Sequence, residues 1–347
     1  MAFTADELAN IANAAIDYHF KKGQVFSNTI QNKPLLRKMQ EKQGTFPGGK
    51  DNITVRAKGE YTTDIMGYTH DDTVTYGNPA NIKEAIYPWK EIHAGISITM
   101  TELKKDGITV VDSSNGKDTV KHTHREMTAL ANLLEDKLED LSEGTARGMN
   151  GMFWNDGTQD AKQVPGVRSI ILDDPTAIGT VAGIDQVADA WWRNRAQLLV
   201  DVSTPSNQNL VTVLQSEFRQ LRRYGGNPDT FLAGSDFIEG LERELRSNGS
   251  YTDTGFINKG KTDLGMADLS FKNVPIEYDP TLDDDGLAKY GYVLDCKTIK
   301  PMVMEGEDMK QHNPSRPENQ YVFYRATTWT GGLICKQRNA NGVYSIL

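Results

Sequence analysis

The strongest constraint in this chain is one long amphipathic helix. Met127, Leu130, Leu134, Leu138 and Leu141 recur at intervals of three, four, four and three, which puts them on one face. Glu126, Asn132, Glu135, Glu139 and Asp140 take the opposite face. With Asp118 as its cap, the spacing predicts a helix from Thr119 to Glu143. Such a helix runs about 37 Å at roughly 1.5 Å per residue. Burying its five apolar side chains contributes about 8–15 kcal/mol before entropy is subtracted. Gly144, Gly148 and Gly151 are expected to close it.

What precedes this helix has little core of its own. Thr4 or Asp6 can cap a short helix carrying Leu8, Ile11, Ala15 and Tyr18, and an irregular stretch through Pro34 then leads to Phe46-Pro47-Gly48-Gly49. This segment reads as an arm. Residues 50–86 read as a hairpin: Ile53, Val55 and Ala57 alternate with Thr54, Arg56 and Lys58, and Thr73 to Tyr76 form the return limb before Gly77-Asn78-Pro79. The tip between the limbs is polar, with Asp64, Gly67, His70, Asp71 and Asp72. An isolated two-stranded ribbon is marginal in water, so the hairpin is expected to lie on a partner. Residues 89–101 alternate more strongly, with Ile92, Ala94, Ile96, Ile98 and Met100 on one side. A turn at Lys105-Asp106-Gly107 and an apolar run from Ile108 to Val111 follow.

A second domain is expected from near Gly166. Ile184 to Trp192 suggests a short helix. Asn207 to Tyr224 suggests another, with Leu210, Leu214, Phe218 and Leu221 on one face and Gly225-Gly226 as its stop. Thr230–Ala233 reads as a strand, and Ser235 as the cap of a helix bearing Ile238, Leu241 and Leu245. Val274–Asp279, Tyr290–Leu294 and Tyr321–Trp329 read as strands, and Gly331-Gly332 as a turn before the closing strands.

A chain of 347 residues fits two intertwined domains. Its 38% apolar content suffices for a core, but a mean hydropathy of −0.53 points to extended parts that a lone subunit leaves solvated. The net charge of −9 argues against gripping nucleic acid through a broad basic surface. Cys296 and Cys335 are read as two buried thiols. There is no basic, apolar leader and no run of about 18 apolar residues, so a soluble chain made in the cytoplasm, with no membrane partner, is expected.

No motif carries chemistry. His122 and His124 diverge on a helix and lack a third ligand, which leaves no metal site. Asp283-Asp284-Asp285-Gly286 lacks the alternating ligands and closing glutamate of a calcium loop, and reads as an exposed acidic turn. Gly48-Gly49-Lys50 lacks the context of a phosphate cradle, and Ser235 lacks a nucleophile elbow. Arg219, Arg222 and Arg223 suit a helix C-terminus. Trp191-Trp192 is the pair hardest to treat as ordinary surface, and reads as a core or interface anchor. No catalytic residue, cofactor or metal is expected, and the chain is not expected to be an enzyme.

In order along the chain, Phe46-Pro-Gly-Gly-Lys50, Ala182-Gly-Ile-Asp185 with Trp191-Trp-Arg-Asn194, Phe271-Lys-Asn-Val-Pro-Ile-Glu-Tyr-Asp279-Pro280, Gly331-Gly-Leu and Arg338-Asn-Ala-Asn-Gly-Val343 resemble tailed-bacteriophage major capsid proteins of the Hong Kong 97 type. The resemblance covers nearly the whole chain. It implies an α+β fold with an N-arm (1–49), an extended β-hairpin E-loop (50–88), a P-domain part holding the spine helix (89–164), an A-domain (165–295) and returning P-domain strands (296–347). It implies hexamers and pentamers of this chain closing an icosahedral shell around double-stranded DNA without sequence-specific binding. Portal, scaffolding and decoration proteins are the further partners it implies, and the virion is the location. An encapsulin-like compartment shell is the alternative role. No acid, lysine and asparagine set for an isopeptide crosslink can be matched. The candidate intersubunit contacts are Lys50, Arg56, Lys58, Asp71, Asp72, Trp191 and Trp192.

Overall fold

A computed structural model of the chain describes residues 3–4, 32–59, 65–74, 76, 82–105, 110–111, 124–204, 209–247, 269–312 and 322–347. The first half runs β1 (Phe3–Thr4), α1 (Pro34–Glu41), β2 (Gly44–Phe46), β3 (Asn52–Lys58), β4 (Ile82–Pro88), β5 (Lys90–Thr99), α2 (Met100–Lys105), β6 (Val110–Val111) and α3 (His124–Trp154). The second runs α4 (Val167–Ile170), β7 (Thr180–Val181), β8 (Ile184–Asp185), β9 (Arg195–Val200), α5 (Leu210–Arg222), β10 (Thr230–Ala233) and α6 (Ser235–Ser247). It ends with β11 (Ser270–Phe271), β12 (Val274–Tyr278), α7 (Pro280–Asp284), β13 (Tyr290–Leu294), β14 (Ile299–Met304), β15 (Lys310–His312), β16 (Val322–Cys335) and β17 (Gly342–Ile346).

The long helix is present but shifted, over the 31 residues His124–Trp154. Asp118, His122 and the arm helix around residues 8–18 lie outside the described residues, as do the side chains of Met127, Leu130, Leu134 and Leu138; Leu141 is buried. The helix runs through Gly144, Gly148 and Gly151 instead of ending there. Each interior glycine costs about 1 kcal/mol against alanine, and the burial of Ala146, Met149, Met152, Phe153 and Trp154 around them outweighs it. Asn150 then fastens two neighbours to α3: its Oδ1 accepts from Leu36 N at 3.1 Å, and its Nδ2 donates to Thr281 Oγ1 at 2.7 Å. Trp154 Nε1 donates to Asp279 Oδ2 at 2.8 Å, while Asp279 Oδ1 accepts from Thr281 N and caps α7. Burial pushes the Asp279 carboxyl up, and these hydrogen bonds oppose the shift.

From Pro34 onward the stretch is not irregular. Pro34 opens α1, where its missing N–H costs nothing, and Leu35, Leu36 and Met39 are buried in the main core. Lys33 Nζ reaches Glu143 Oε1 at 2.9 Å, both side chains largely covered, which ties this segment to α3. Thr4 sits in β1, paired in parallel with β6, and the arm helix it or Asp6 is expected to cap lies outside the described residues.

The hairpin exists, with a different return limb. β3 pairs antiparallel with β4, from Asn52 opposite Pro88 to Lys58 opposite Ile82, so the limb lies beyond Thr73–Tyr76. Its base does not wait for a partner: Ile53, Ala57, Ala85 and Tyr87 are buried in the chain's own core, and Tyr87 Oη donates to Cys335 O at 2.9 Å.

Two sheets organise the rest. The six-stranded sheet has the order β11-β12-β10-β13-β17-β9. Leu210, Leu214, Phe218 and Leu221 of α5, with Phe237 and Leu241 of α6, pack against its Phe231, Val293 and Tyr344. The other sheet has the order β15-β16-β14-β2, and β5 pairs with β16 from Thr99 opposite Val322 to Lys90 opposite Gly331. β16 passes straight through Gly331-Gly332, which therefore make no turn. A Cβ would lie 2.5 Å from Met302 O at Gly331 and 2.5 Å from Pro88 O at Gly332, so neighbouring backbone demands glycine there. α5 stops where expected, with Gly225 at φ +86.

Three local expectations change. Ile184–Trp192 is β8 followed by a 3-10 turn at Ala190–Trp192, because Asp185 Oδ1 accepts from Val187 N and closes a local turn instead of a helix. Ser235 is the first residue of α6, and the cap is Asp283, whose Oδ1 accepts from Ser235 N at 3.0 Å. Asp283 and Asp284 accordingly end α7, and of the three aspartates only Asp284 and Asp285 are exposed.

Cys296 and Cys335 are free and buried, as read from the sequence. Burial pushes both thiols up to about 12. Ellman's reagent is therefore expected to label neither in the native chain and both in urea; two native equivalents within minutes would contradict the burial.

Candidate intersubunit surfaces

The hairpin base is seated, but its tip is not. Residues 65–74 are all exposed, among them Ile65 at 101% and Tyr68 at 69%, and Tyr76 stands at 96%. Exposed apolar side chains grouped at the end of a projecting element mark a contact surface. Asp71 and Asp72 are exposed beside them. Asp72 Oδ2 accepts from Thr69 N at 2.8 Å and from Thr69 Oγ1 at 2.9 Å, and Asp72 N donates to Thr69 O at 3.0 Å, so the turn is locally built. These bonds hold the Asp72 carboxyl below its usual range.

Beside the tip-ward end of the hairpin ladder lies a groove of about 1060 Å³. Arg56, Lys58 and Gly59 of the hairpin, the Ala190–Trp192 turn, the C-terminal end of α5 and residues 336–339 enclose it. Arg56, Lys58, Arg193, Arg223, Lys297 and Lys336 line it, and no lining residue is acidic. Arg195 also lines it but is neutralised, its Nε and Nη2 each 2.8 Å from the Glu217 carboxylate.

The floor is set by a buried arginine. Arg338 is 0% exposed. Its Nε donates to Ile170 O at 2.7 Å and its Nη2 to Asn194 Oδ1 at 2.8 Å, and Cζ lies 5.9 Å from the Trp192 ring centroid. Asn194 in turn accepts from Leu172 N and donates to Leu172 O. No described carboxylate forms an ion pair with Arg338. Burial draws its pKa down to about 10, which leaves it charged at neutral pH.

The structure brings Arg56, Lys58, Trp191 and Trp192 together around this groove. Trp192 is corrected as an intersubunit contact: it is 1% exposed and donates Nε1 to Val181 O, so it anchors its own subunit. Trp191 is half-buried, with Nε1 3.2 Å from Asp189 Oδ1. Lys50 is exposed apart from the groove, where its carbonyl accepts from Trp89 Nε1, and Asp71 and Asp72 sit at the tip. Sequence reasoning missed Lys297 and Lys336 and treated Arg223 only as a helix-end charge. Spacing carried no signal for them, because the fold alone assembles them. Among the described residues no three His, Cys, Asp or Glu side chains are grouped to hold a metal, and no helix is long and apolar enough to cross a membrane.

The chain matches no protein-family model and none of the curated proteins compared with it. Solved structures do match. A chain of the cyanophage A-1(L) capsid asymmetric unit is 15% identical with a TM-score of 0.65, the match covering 92% of this chain and 94% of that one. The capsid of the native GTA particle matches at 12% identity and TM-score 0.51, over 92% and 93% of the two chains. The capsid of Myoviridae phage XM1 does so at 12% and 0.51, over 92% and 94%. The fold shared with these phage capsid structures is the mixed helix-and-sheet fold of Hong Kong 97 type.

Proposed function

We propose that the chain is the major capsid protein of a tailed bacteriophage, a structural subunit that self-assembles into the hexamers and pentamers of an icosahedral head around double-stranded DNA. The observation that carries this reading is a fold matched over 92% of the chain by a phage capsid chain, with a hairpin whose base is built into the subunit and whose tip leaves apolar side chains bare. A tip of that kind is stable only against a neighbour, and contacts repeated on every subunit give a closed lattice its strength. The arm (1–49), E-loop (50–88), P-domain (89–164 and 296–347) and A-domain (165–295) divide the subunit. Lys50, Arg56, Lys58, Asp71, Asp72 and Trp191 are its contact residues. Portal, scaffolding and decoration proteins are further partners, and the mature location is the virion.

Expression of the chain followed by negative-stain electron microscopy and sedimentation tests this. Closed spherical shells or capsomer rings are the expected result. A single monomer boundary at every concentration and salt condition would overturn it.

A further inference from the structure

We infer that the cationic groove is a binding site for a small oligophosphate anion, of the kind a nucleoside triphosphate carries. The site goes beyond the capsid reading and does not depend on it, since residues of a single subunit line the groove.

The charge distribution is lopsided. The chain holds 47 acidic and 38 basic residues, yet Arg56, Lys58, Arg193, Arg223, Lys297 and Lys336 converge on one groove that no described carboxylate lines. None of these cations forms an ion pair with a described residue. Carboxylates close to them in sequence serve other partners. Asp189 takes Lys83 Nζ and Trp191 Nε1, and Asp174 accepts from Thr176 N and Oγ1. The two oxygens of Asp295 accept from the backbone N–H groups of Lys297 and Asn227. Like charges gathered in this way repel one another, and a small anion with several charges relieves the repulsion. A further cation adds to the field from below. Arg338 is fully buried and lies in the groove floor, and its Nη1 reaches only Gln186 Oε1, at 3.5 Å. It acts on an occupant through its charge and not by contact.

Side-chain chemistry points to phosphate. The guanidinium forks of Arg56 and Arg223 match pairs of phosphate oxygens, and Lys58, Lys297 and Lys336 supply compact point charges. Arg193 is set in place beforehand. Its Nε donates to Gln186 O at 2.6 Å and its Nη2 to Val187 O at 3.2 Å, which lowers the ordering cost of binding. Two aromatic faces stand beside the cations. Tyr224 is 57% exposed, with Arg223 Cζ 5.4 Å from its ring centroid, and Trp191 is half-buried. Such faces can stack a base, so a nucleoside triphosphate and a free oligophosphate share the phosphate contacts and differ in this one. Size favours a small ligand. A groove of about 1060 Å³ is of the order that small molecules fill, whereas a duplex needs a long track for its backbone. The net charge of −9 also repels a long polyanion that extends beyond the groove.

Calorimetric titration of the full chain with tripolyphosphate, ATP and adenosine tests the site. At low salt tripolyphosphate is expected to bind with a dissociation constant of about 10–100 µM, and to weaken several-fold as salt is raised. Arg223→Glu with Lys336→Glu, and separately Arg56→Glu with Lys58→Glu, are each expected to weaken binding about tenfold or more. Lys105→Glu, an exposed site outside the groove, is the control and leaves binding unchanged; matching thermal melts establish that the variants fold. ATP binding about threefold or more tighter than tripolyphosphate assigns the nucleotide as the source, and ATP no tighter assigns the free oligophosphate; either upholds the site. A folded chain that binds neither at about 1 mM overturns the inference. So does binding that both groove pairs leave intact, or that Lys105→Glu weakens equally. A 20-base-pair duplex held by these residues while tripolyphosphate fails to bind assigns the groove to nucleic acid and overturns it too. Shell formation is read separately by electron microscopy, so each of these failures leaves the capsid reading standing.

Discussion

Replacing Arg338 with alanine is expected to cost the folded subunit about 3–5 kcal/mol, among the largest single-residue losses on this surface-rich chain. The side chain is fully buried, and its guanidinium serves Ile170 O and Asn194 Oδ1, with Gln186 Oε1 at 3.5 Å. Truncation leaves these acceptors in a site water reaches poorly, at about 1–3 kcal/mol for each that stays unmet. It also opens a void beneath Trp192 and removes the cation from its ring, adding a cavity term. Arg338→Lys keeps the charge but not the fork that reaches two directions, so an intermediate loss is expected. Urea unfolding followed by circular dichroism measures both. A loss under about 1 kcal/mol for the alanine variant would mean that water or repacking satisfies the acceptors, and that Arg338 does not hold the groove floor.

Gly332→Val is expected to unseat the hairpin. Even a Cβ at 332 would lie 2.5 Å from Pro88 O and 3.4 Å from Ile53 Cδ1, so the larger side chain forces β4 and β3 away from β16. Ile53, Ala57, Ala85 and Tyr87 then lose cover, at about 2–4 kcal/mol for the strain and lost burial together. Limited proteolysis near residue 59 or 82 is expected to accelerate in step. Gly144→Ala supplies the contrast: it lies inside α3 with nothing within 4 Å of the added Cβ. It is expected to stabilise the subunit by up to about 1 kcal/mol. Equal stability of Gly332→Val and wild type would show that the hairpin base is not seated on β16.

The contrast between these glycines shows which parts of the fold were legible. Periodicity located α5 with its face of Leu210, Leu214, Phe218 and Leu221, and placed β10 and β13. Those faces are properties of neighbouring residues, and each stretch carries its own pattern. Gly331-Gly332 misled because a glycine pair signals a turn locally, whereas here the approach of Met302 and Pro88 backbones demands it. α1 was missed because its single turn of Leu35, Leu36 and Met39 is too short a pattern, and Pro34 reads equally as a break or a first helical residue. The cationic groove had no local signature at all. Its members come from residues 56, 58, 193, 223, 297 and 336, and only the tertiary fold gathers them. The tip was visible as polar and acidic, while the exposure of Ile65 and Tyr76 emerged only once the ladder partners were known.

The position of β17 bears on the timing of synthesis. This strand lies between β13 and β9, fully buried, and pairs Gly342 with Arg195 and with Val293. Until residues 342–346 have left the ribosome, β9 and β13 keep bare inner edges and the sheet stays split in two. A chain broken off before this strand carries an unfinished body beneath an otherwise complete hairpin. A chain terminated before residue 342 therefore lacks the strand whose hydrogen bonds join β9 to β13 and complete the sheet.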